Sequence, residues 1–297
     1  MLCAYCNEDK KLTREHVIPK GIIELFPECN MVISEKRYYI GEHVIKDVCE
    51  TCNNENLSNL DGYGREFISK YFLNDYKPDI QLSVTYDYYL LSRWLLKIGY
   101  NLYRSDNMDV SWYKSNLRYI LGESYTTTQK FSLFGGLCIN VSPLPDFWVN
   151  NKQMNIVPNP VFILGGIEEM RNIVQNNLGR ESIDLDLKGL NQKFIIRIGT
   201  GIFLLLLWEK EAVMEDIIKY ELLIETLFPY KLLKNDKSEV NIKRCTDAFN
   251  YHTLSLIFGE GAMNLSITMN VLCHKNLHIT ASMFTAVVLT YKNMLRS

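Results

Sequence analysis

No stretch of this chain is apolar for long enough to cross a bilayer. The longest apolar run, Ile202 to Trp208, is closely flanked by Arg197 and Glu209, and a spanning helix needs roughly 20 such residues. The opening residues, Met1-Leu2-Cys3-Ala4-Tyr5-Cys6, hold neither a basic segment nor an apolar one. No secretory leader is read there, so a soluble, cytoplasmic protein with no membrane partner is expected. An excess of positive charge is also missing. The 32 Lys and Arg face 34 Asp and Glu, a formal net charge of −2. From Met1 to Phe72 the balance is nine basic residues against twelve acidic ones. Strong non-specific binding to nucleic acid usually comes with a clear positive excess. Any hold on phosphate must therefore come from a local basic face, from bound metal or from the rest of the chain. There is no internal repeat and no low-complexity tract, which sets aside a repeat architecture.

What is present is enough for a folded core. Hydrophobic residues make up 47% of the chain and charged ones 22%, a composition that excludes disorder. A length of 297 residues is comfortable for two domains. A turn-rich stretch, Asn74-Asp75-Tyr76-Lys77-Pro78-Asp79, is the candidate boundary. Residues 1–76 are read as a small module and residues 77–297 as a larger α+β domain whose role is to recognise substrate, partner or signal.

The pattern of elements supports an α+β class. Residues 12–18 are extended and stopped by Pro19. Residues 21–25 read as a short helical turn and residues 36–48 as strand. After Cys52 the period becomes helical, with Leu57, Leu60, Phe67, Ile68 and Phe72 near one face and Gly62 and Gly64 as weak points. Beyond the boundary, residues 80–86 alternate as a strand. Residues 88–103 form a helix with Leu91, Trp94, Leu95, Ile98 and Leu102 on its core stripe. A second helix is expected over 112–121, strands over 131–141 and 161–164, and a hairpin of 194–198 and 202–208 around Gly199-Thr200-Gly201. Residues 211–227 read as helix, 235–243 as a charged loop and 282–295 as a last helix.

Four of the eight cysteines form two Cys-x-x-Cys pairs, Cys3/Cys6 and Cys49/Cys52, with 42 residues between the pairs. In a chain without a secretory signal such knuckles indicate metal rather than disulfide. Four thiolates suit tetrahedral Zn²⁺, and a closed set of four is structural, with no open position for substrate. The isolated Cys29, Cys138, Cys245 and Cys273 are read as small buried hydrophobes.

Glu15 and His16 adjoin each other just before the turn at Pro19. Imidazole has the right neutral-pH chemistry to activate water as a general base, and a carboxylate is a hard donor suited to Mg²⁺ or Mn²⁺. Neighbours on a strand point to opposite faces, so both reach one site only where the strand is bent. Asn53 offers an amide at the start of the following helix, as a cap, a ligand or both.

Together, Cys-x-x-Cys, Glu-His-x-x-Pro-Lys and Cys-x-x-Cys-Asn-Asn resemble the HNH, or ββα-metal, endonucleases of the zinc-knuckle subgroup, over about residues 3 to 61. The resemblance implies two strands and a helix gripping one catalytic divalent metal, Mg²⁺ or Mn²⁺. It gives His16 the role of general base, and Glu15 and Asn53 those of metal ligands. It makes Cys3, Cys6, Cys49 and Cys52 the structural zinc ligands. The family often carries an Asn about five residues before the second knuckle; Val44 stands there instead, with His43 beside it, and His43 and Asn54 are the alternatives for that role. Ser58, Asn59 and Asp61 are further candidates to face the site. Arg14, Lys20 and Lys46 are the candidate phosphate contacts.

The function implied is metal-dependent hydrolysis of phosphodiester bonds, with DNA the expected substrate, in a restriction-like or anti-phage defence role. A homodimer or an operon-encoded protein partner is the expected assembly. The alternative is a non-catalytic zinc module that recognises nucleic acid or protein. His252, His274 and His278 are read as structural. Gly199-Thr200-Gly201 is read as a turn and not a phosphate loop, because no Walker lysine follows.

Overall fold

The computed structural model describes residues 2–26, 31–34, 37–40, 43–74, 76–77, 80–137, 154–158, 187–228 and 230–243. Helices and antiparallel sheets both contribute, and the fold is α+β.

The N-terminal part pairs two strands and follows them with a helix. Strand β1 (Leu12–His16) lies antiparallel to β4 (Val44–Cys49), with Leu12 opposite Cys49 and His16 opposite Val44. The register shifts between Thr13 and Glu15. This leaves Lys46 and Asp47 of β4 facing Arg14 of β1, a bulge that bends the pair just before Glu15. Between the two strands come a short helix, α1 (Lys20–Ile23), and a hairpin of β2 (Met31–Ser34) and β3 (Arg37–Ile40). The strand read over 36–48 is thus two strands, β3 and β4, with separate partners. After Cys49 the chain enters a π-helical turn, Cys52–Leu57, which runs straight into α2 (Ser58–Tyr71). The apolar period seen there is real: Leu57, Leu60, Phe67, Ile68 and Phe72 are all buried.

Helix α3 (Tyr88–Ser105) is the pillar of the molecule. Its first turn is capped by the Asp87 side chain, which accepts from the Leu90 amide at 2.9 Å. Twelve of its residues are buried, so it is surrounded on all sides. The segment after it forms two short helices, α4 (Ser111–Ser115) and α5 (Leu117–Leu121), broken at Asn116.

A five-stranded antiparallel sheet packs behind α3, in the order β10 (Lys231–Leu233), β6 (Phe131–Leu137), β9 (Gly201–Trp208), β8 (Leu190–Ile198), β7 (Met154–Pro158). Residues 202–208, the longest apolar run of the sequence, are the body of its central strand. Phe203, Leu205 and Leu207 join the core that also holds Trp94, Ile98, Val48 and Cys3. Ile202, Leu204 and Leu206 join a second core with Ile217 and Ile224 of α6 (Met214–Leu227). A strand buried on both faces needs no polar alternation. The β8–β9 hairpin turns at Gly199, whose φ of 59° favours glycine. Its Thr200 grips the end of α2, amide and hydroxyl both donating to the Phe72 carbonyl at 3.0 and 3.2 Å.

One expectation fails here. Residues 235–243 are not all loop: β11 (Glu239–Lys243) pairs antiparallel with β5 (Gln81–Thr85), Val240 opposite Val84 and Ile242 opposite Leu82. Two alternating aliphatic residues were enough to make a strand among the charges. The strand read at 161–164, the helix read at 282–295, Cys29, Cys138, Cys245, Cys273, His252, His274 and His278 lie outside the described residues.

Candidate active site

The first knuckle is a tight turn built for sulfur. Asn7 takes a left-handed conformation, φ 58°, one that asparagine tolerates. Its amide donates to the Cys3 carbonyl at 2.9 Å, closing the loop. The Ala4 amide donates to Asp47 O at 2.8 Å, which ties the knuckle to β4. The second knuckle spans the end of β4 and the start of the π-helical turn, so Cys49 and Cys52 face the same point. The sulfurs of Cys3, Cys6, Cys49 and Cys52 all lie within 4.8 Å of one another. With Zn–S bonds of about 2.3 Å, tetrahedral geometry sets sulfurs about 3.8 Å apart, and Cys6 Sγ and Cys49 Sγ are 3.8 Å apart. The four cysteines can therefore hold a metal ion, and zinc fits both the geometry and the donor set. Burial raises the Cys3 thiol, but the Cys49 amide and other backbone N–H groups outweigh it and bring it down to about 7. Burial pushes the Cys6 and Cys52 thiols up.

Asn53, next to the second knuckle, is turned onto β1. Its side-chain amide donates to Thr13 Oγ1 at 3.1 Å and to the Arg14 carbonyl at 2.9 Å. The start of the helix is thereby clamped to the strand immediately before Glu15 and His16. His16 is half-buried at the end of β1. The next residue is held from the other side, by a 2.9 Å bond from the Val17 amide to the His43 carbonyl. His43 thus steadies this corner through its main chain. Val44 lies opposite His16 in the ladder. Asn54 is exposed on the helix.

Glu15 points into the fold. Its side chain is 5% exposed and meets the ammonium of Lys97, itself 0% exposed, at 2.5 Å. Lys97 also bonds both carboxylate oxygens of Asp61 on α2, each at 2.8 Å. Burial works against the charge on Lys97, but Asp61 and Glu15 more than offset it and keep the ammonium protonated. Burial raises the Asp61 carboxyl, an effect that the Lys97 ammonium offsets only in part, and through Lys97 the strand β1 and the helices α2 and α3 meet in one group. Asn101, one helical turn after Lys97, donates to Glu15 Oε1 at 3.2 Å and to the His16 carbonyl at 3.0 Å. Its own oxygen accepts from Tyr5 Oη at 2.7 Å and from Arg104 at 2.5 Å. Arg104 stacks over Tyr5 and Tyr100 and pairs with Asp47 at 2.6 Å.

The structure therefore brings together Glu15, His16, Asn53 and the four cysteines, and adds Asp61, Lys97, Asn101 and Arg104. Ser58 and Asn59 turn back onto the carbonyls of Asn54 and Glu55 and stay exposed. Arg14 and Lys46 are exposed on facing strands at the bulge, and Lys20 is exposed at the start of α1. Lys97, Asn101 and Arg104 had a legible signal. They fall at i, i+4 and i+7 of α3, a polar stripe beside the apolar one.

A divalent cation at Glu15 does not fit this arrangement. Glu15 Oε1 already takes an ammonium and an amide in a buried place, whereas the bonds from Asn53 to β1 use only its Nδ2. Among the described residues the four cysteines are the one group of three or more His, Cys, Asp or Glu gathered closely enough to hold a metal. Comparison with known proteins finds no matching family model, no similar characterised protein and no similar solved structure.

Proposed function

We propose that this protein is an endonuclease of the HNH kind, hydrolysing phosphodiester bonds in nucleic acid, with DNA as the substrate class. One observation carries the reading: the bond from Asn53 to Arg14 O, which fixes a knuckle-anchored helix against the strand end that presents His16. That is the strand, strand and helix arrangement the motifs imply, with four sulfurs close enough together to hold a metal across it. Zinc at Cys3, Cys6, Cys49 and Cys52 would be structural, because a closed four-thiolate shell leaves no position for substrate.

In the reaction His16 takes a proton from water. The hydroxide forms a new bond to phosphorus in line with the leaving oxygen, the P–O3′ bond breaks, and the 3′ oxygen takes a proton from solvent. Asp61 on α2, held by Lys97, lies on the same side of the fold as this strand end. Arg14, Lys46 and Lys20 hold the phosphate backbone, which offsets the negative net charge of the chain locally. A restriction-like or anti-phage role and an assembly with a second copy or with an operon-encoded protein complete the proposal. A single active site nicks one strand, so a double-strand break would require two copies. The Mg²⁺ or Mn²⁺ that the motifs imply has no place at Glu15 as arranged.

The alternative, a zinc module that binds without cutting, gains weight from that same ion pair, since Glu15 is spent on the fold. Plasmid cleavage by zinc-loaded protein decides between them, with Mg²⁺, Mn²⁺ or neither added, comparing wild type with His16→Ala. Nicking or linearisation lost in the variant, at unchanged zinc content, supports the nuclease. Gel-shift binding that is equal in both proteins, with no cleavage by either, supports the binding module.

A further inference from the structure

We infer that Lys97 is the resident cation of the Glu15–Asp61 pair and keeps a divalent metal off Glu15. The inference rests on the nuclease reading only for the expectation that a metal belongs there.

The stoichiometry of the bonds makes the case. A lysine ammonium has three N–H donors and no acceptor. Lys97 spends them on three carboxylate oxygens, Asp61 Oδ1 and Oδ2 at 2.8 Å each and Glu15 Oε1 at 2.5 Å. All its hydrogens are satisfied, and its side chain is 0% exposed. The Glu15 oxygen it meets also takes the Asn101 amide at 3.2 Å.

Magnesium demands near-octahedral geometry and keeps several of its waters when a protein binds it. A carboxylate with a side chain 5% exposed has no room for a hydrated ion. A second cation there would also sit beside a first that already neutralises the same oxygens in a low-dielectric interior. The ammonium is covalently tethered to α3, so its local concentration does not fall when free metal is scarce. The charge around His16 is then set from inside the fold and does not vary with free Mg²⁺.

The test uses zinc-loaded, full-length protein titrated with Mn²⁺ and followed by the loss of the free-ion paramagnetic resonance signal. It needs no substrate, so it is independent of whether the protein cuts DNA. Wild type should leave the free Mn²⁺ signal unchanged. Lys97→Met, which frees both carboxylates, should bind one Mn²⁺ per chain and deplete the free-ion signal accordingly. Adding Glu15→Gln to Lys97→Met should abolish that binding. A wild-type protein that binds one Mn²⁺, and loses it on Glu15→Gln, overturns the inference. So does a folded Lys97→Met that gains no Mn²⁺. If Lys97→Met does not fold, the wild-type and Glu15→Gln titrations decide the question alone.

Discussion

Tyr5 and Asn101, 96 residues apart in the chain, share a buried hydrogen bond of 2.7 Å from the phenol to the amide oxygen. Tyr5 sits inside the first cysteine knuckle, and Asn101 holds both the Glu15 carboxylate and the His16 carbonyl. The sulfur cluster and the candidate base are thus two side chains apart. The Tyr5 ring reinforces the link, packed edge-on against Tyr100 at 5.2 Å and covered by Arg104 at 5.0 Å.

Asn101→Ala should therefore damage more than one contact. It leaves the Tyr5 hydroxyl, Glu15 and the His16 carbonyl each short of a partner in a buried place. The expected loss of stability is roughly 1–3 kcal/mol. Tyr5→Phe removes one donor and should cost about 1 kcal/mol. Urea denaturation measures both. Zinc content should stay the same in each variant while cleavage falls in Asn101→Ala; unchanged cleavage would mean that Asn101 does not position His16.

Metal removal should act on the same region. Burial keeps the Cys6 and Cys52 thiols protonated beyond the ordinary cysteine range, so zinc uptake must expel protons. A pH-indicator titration of the reduced apoprotein with Zn²⁺ should show proton release, and the affinity should fall as the pH is lowered. Cys49→Ser should abolish stoichiometric zinc and lower the thermal midpoint, because the cluster joins the first knuckle to β4 and α2. Retention of one zinc per chain in Cys49→Ser would rule out the four-sulfur site.

The sequence disclosed the groups that repeat or cluster and concealed those that act across distance. Cys3, Cys6, Cys49 and Cys52 announce themselves by spacing, and residues 202–208 by an apolar run with no alternation. Glu15 was legible as an acid beside a histidine, but its direction was not. Strand alternation says that neighbours diverge, and only the position of α3 shows that Glu15 turns inward to Lys97. Lys97 is legible as part of a polar stripe with Asn101 and Arg104, but that the stripe faces inward shows only once its helix is found buried on every side. The strand β11 was hidden because Glu239, Asn241 and Lys243 dominate its composition, while the partner that makes it a strand, β5, lies more than 150 residues earlier in the chain.

His43 gives the protein a pH dependence of defined sign. Burial lowers its pKa, and the nearby Asp106 offsets this only in part. A folded-state value below the unfolded one favours the neutral ring. The stability it contributes is therefore present above about pH 6.5 and is lost as the pH falls through the depressed folded value. The thermal midpoint of wild type should drop through this acidic window more steeply than that of His43→Gln. Parallel curves for the two proteins would assign the drop to other groups.

The two glycines of α2 should respond to the same substitution with opposite signs. Both were expected to be weak points of a helix, since glycine costs about 1 kcal/mol against alanine in a helix interior. A Cβ at Gly62 would meet nothing within 4 Å, so Gly62→Ala should stabilise by roughly 0.5–1 kcal/mol. At Gly64 the Cβ would run into the indole of Trp94, a side chain 0% exposed at the α2–α3 contact. Gly64→Ala should destabilise by about 1–3 kcal/mol despite its better propensity, because a closely packed ring has nowhere to move. The clash involves the indole nitrogen and benzo edge, so Trp94→Phe should relieve part of it. In a double-mutant cycle the pair should then cost less than the two single changes added together. Strict additivity would show that α2 and α3 do not approach through this glycine, and would undo the packing that sets Asp61 opposite Lys97.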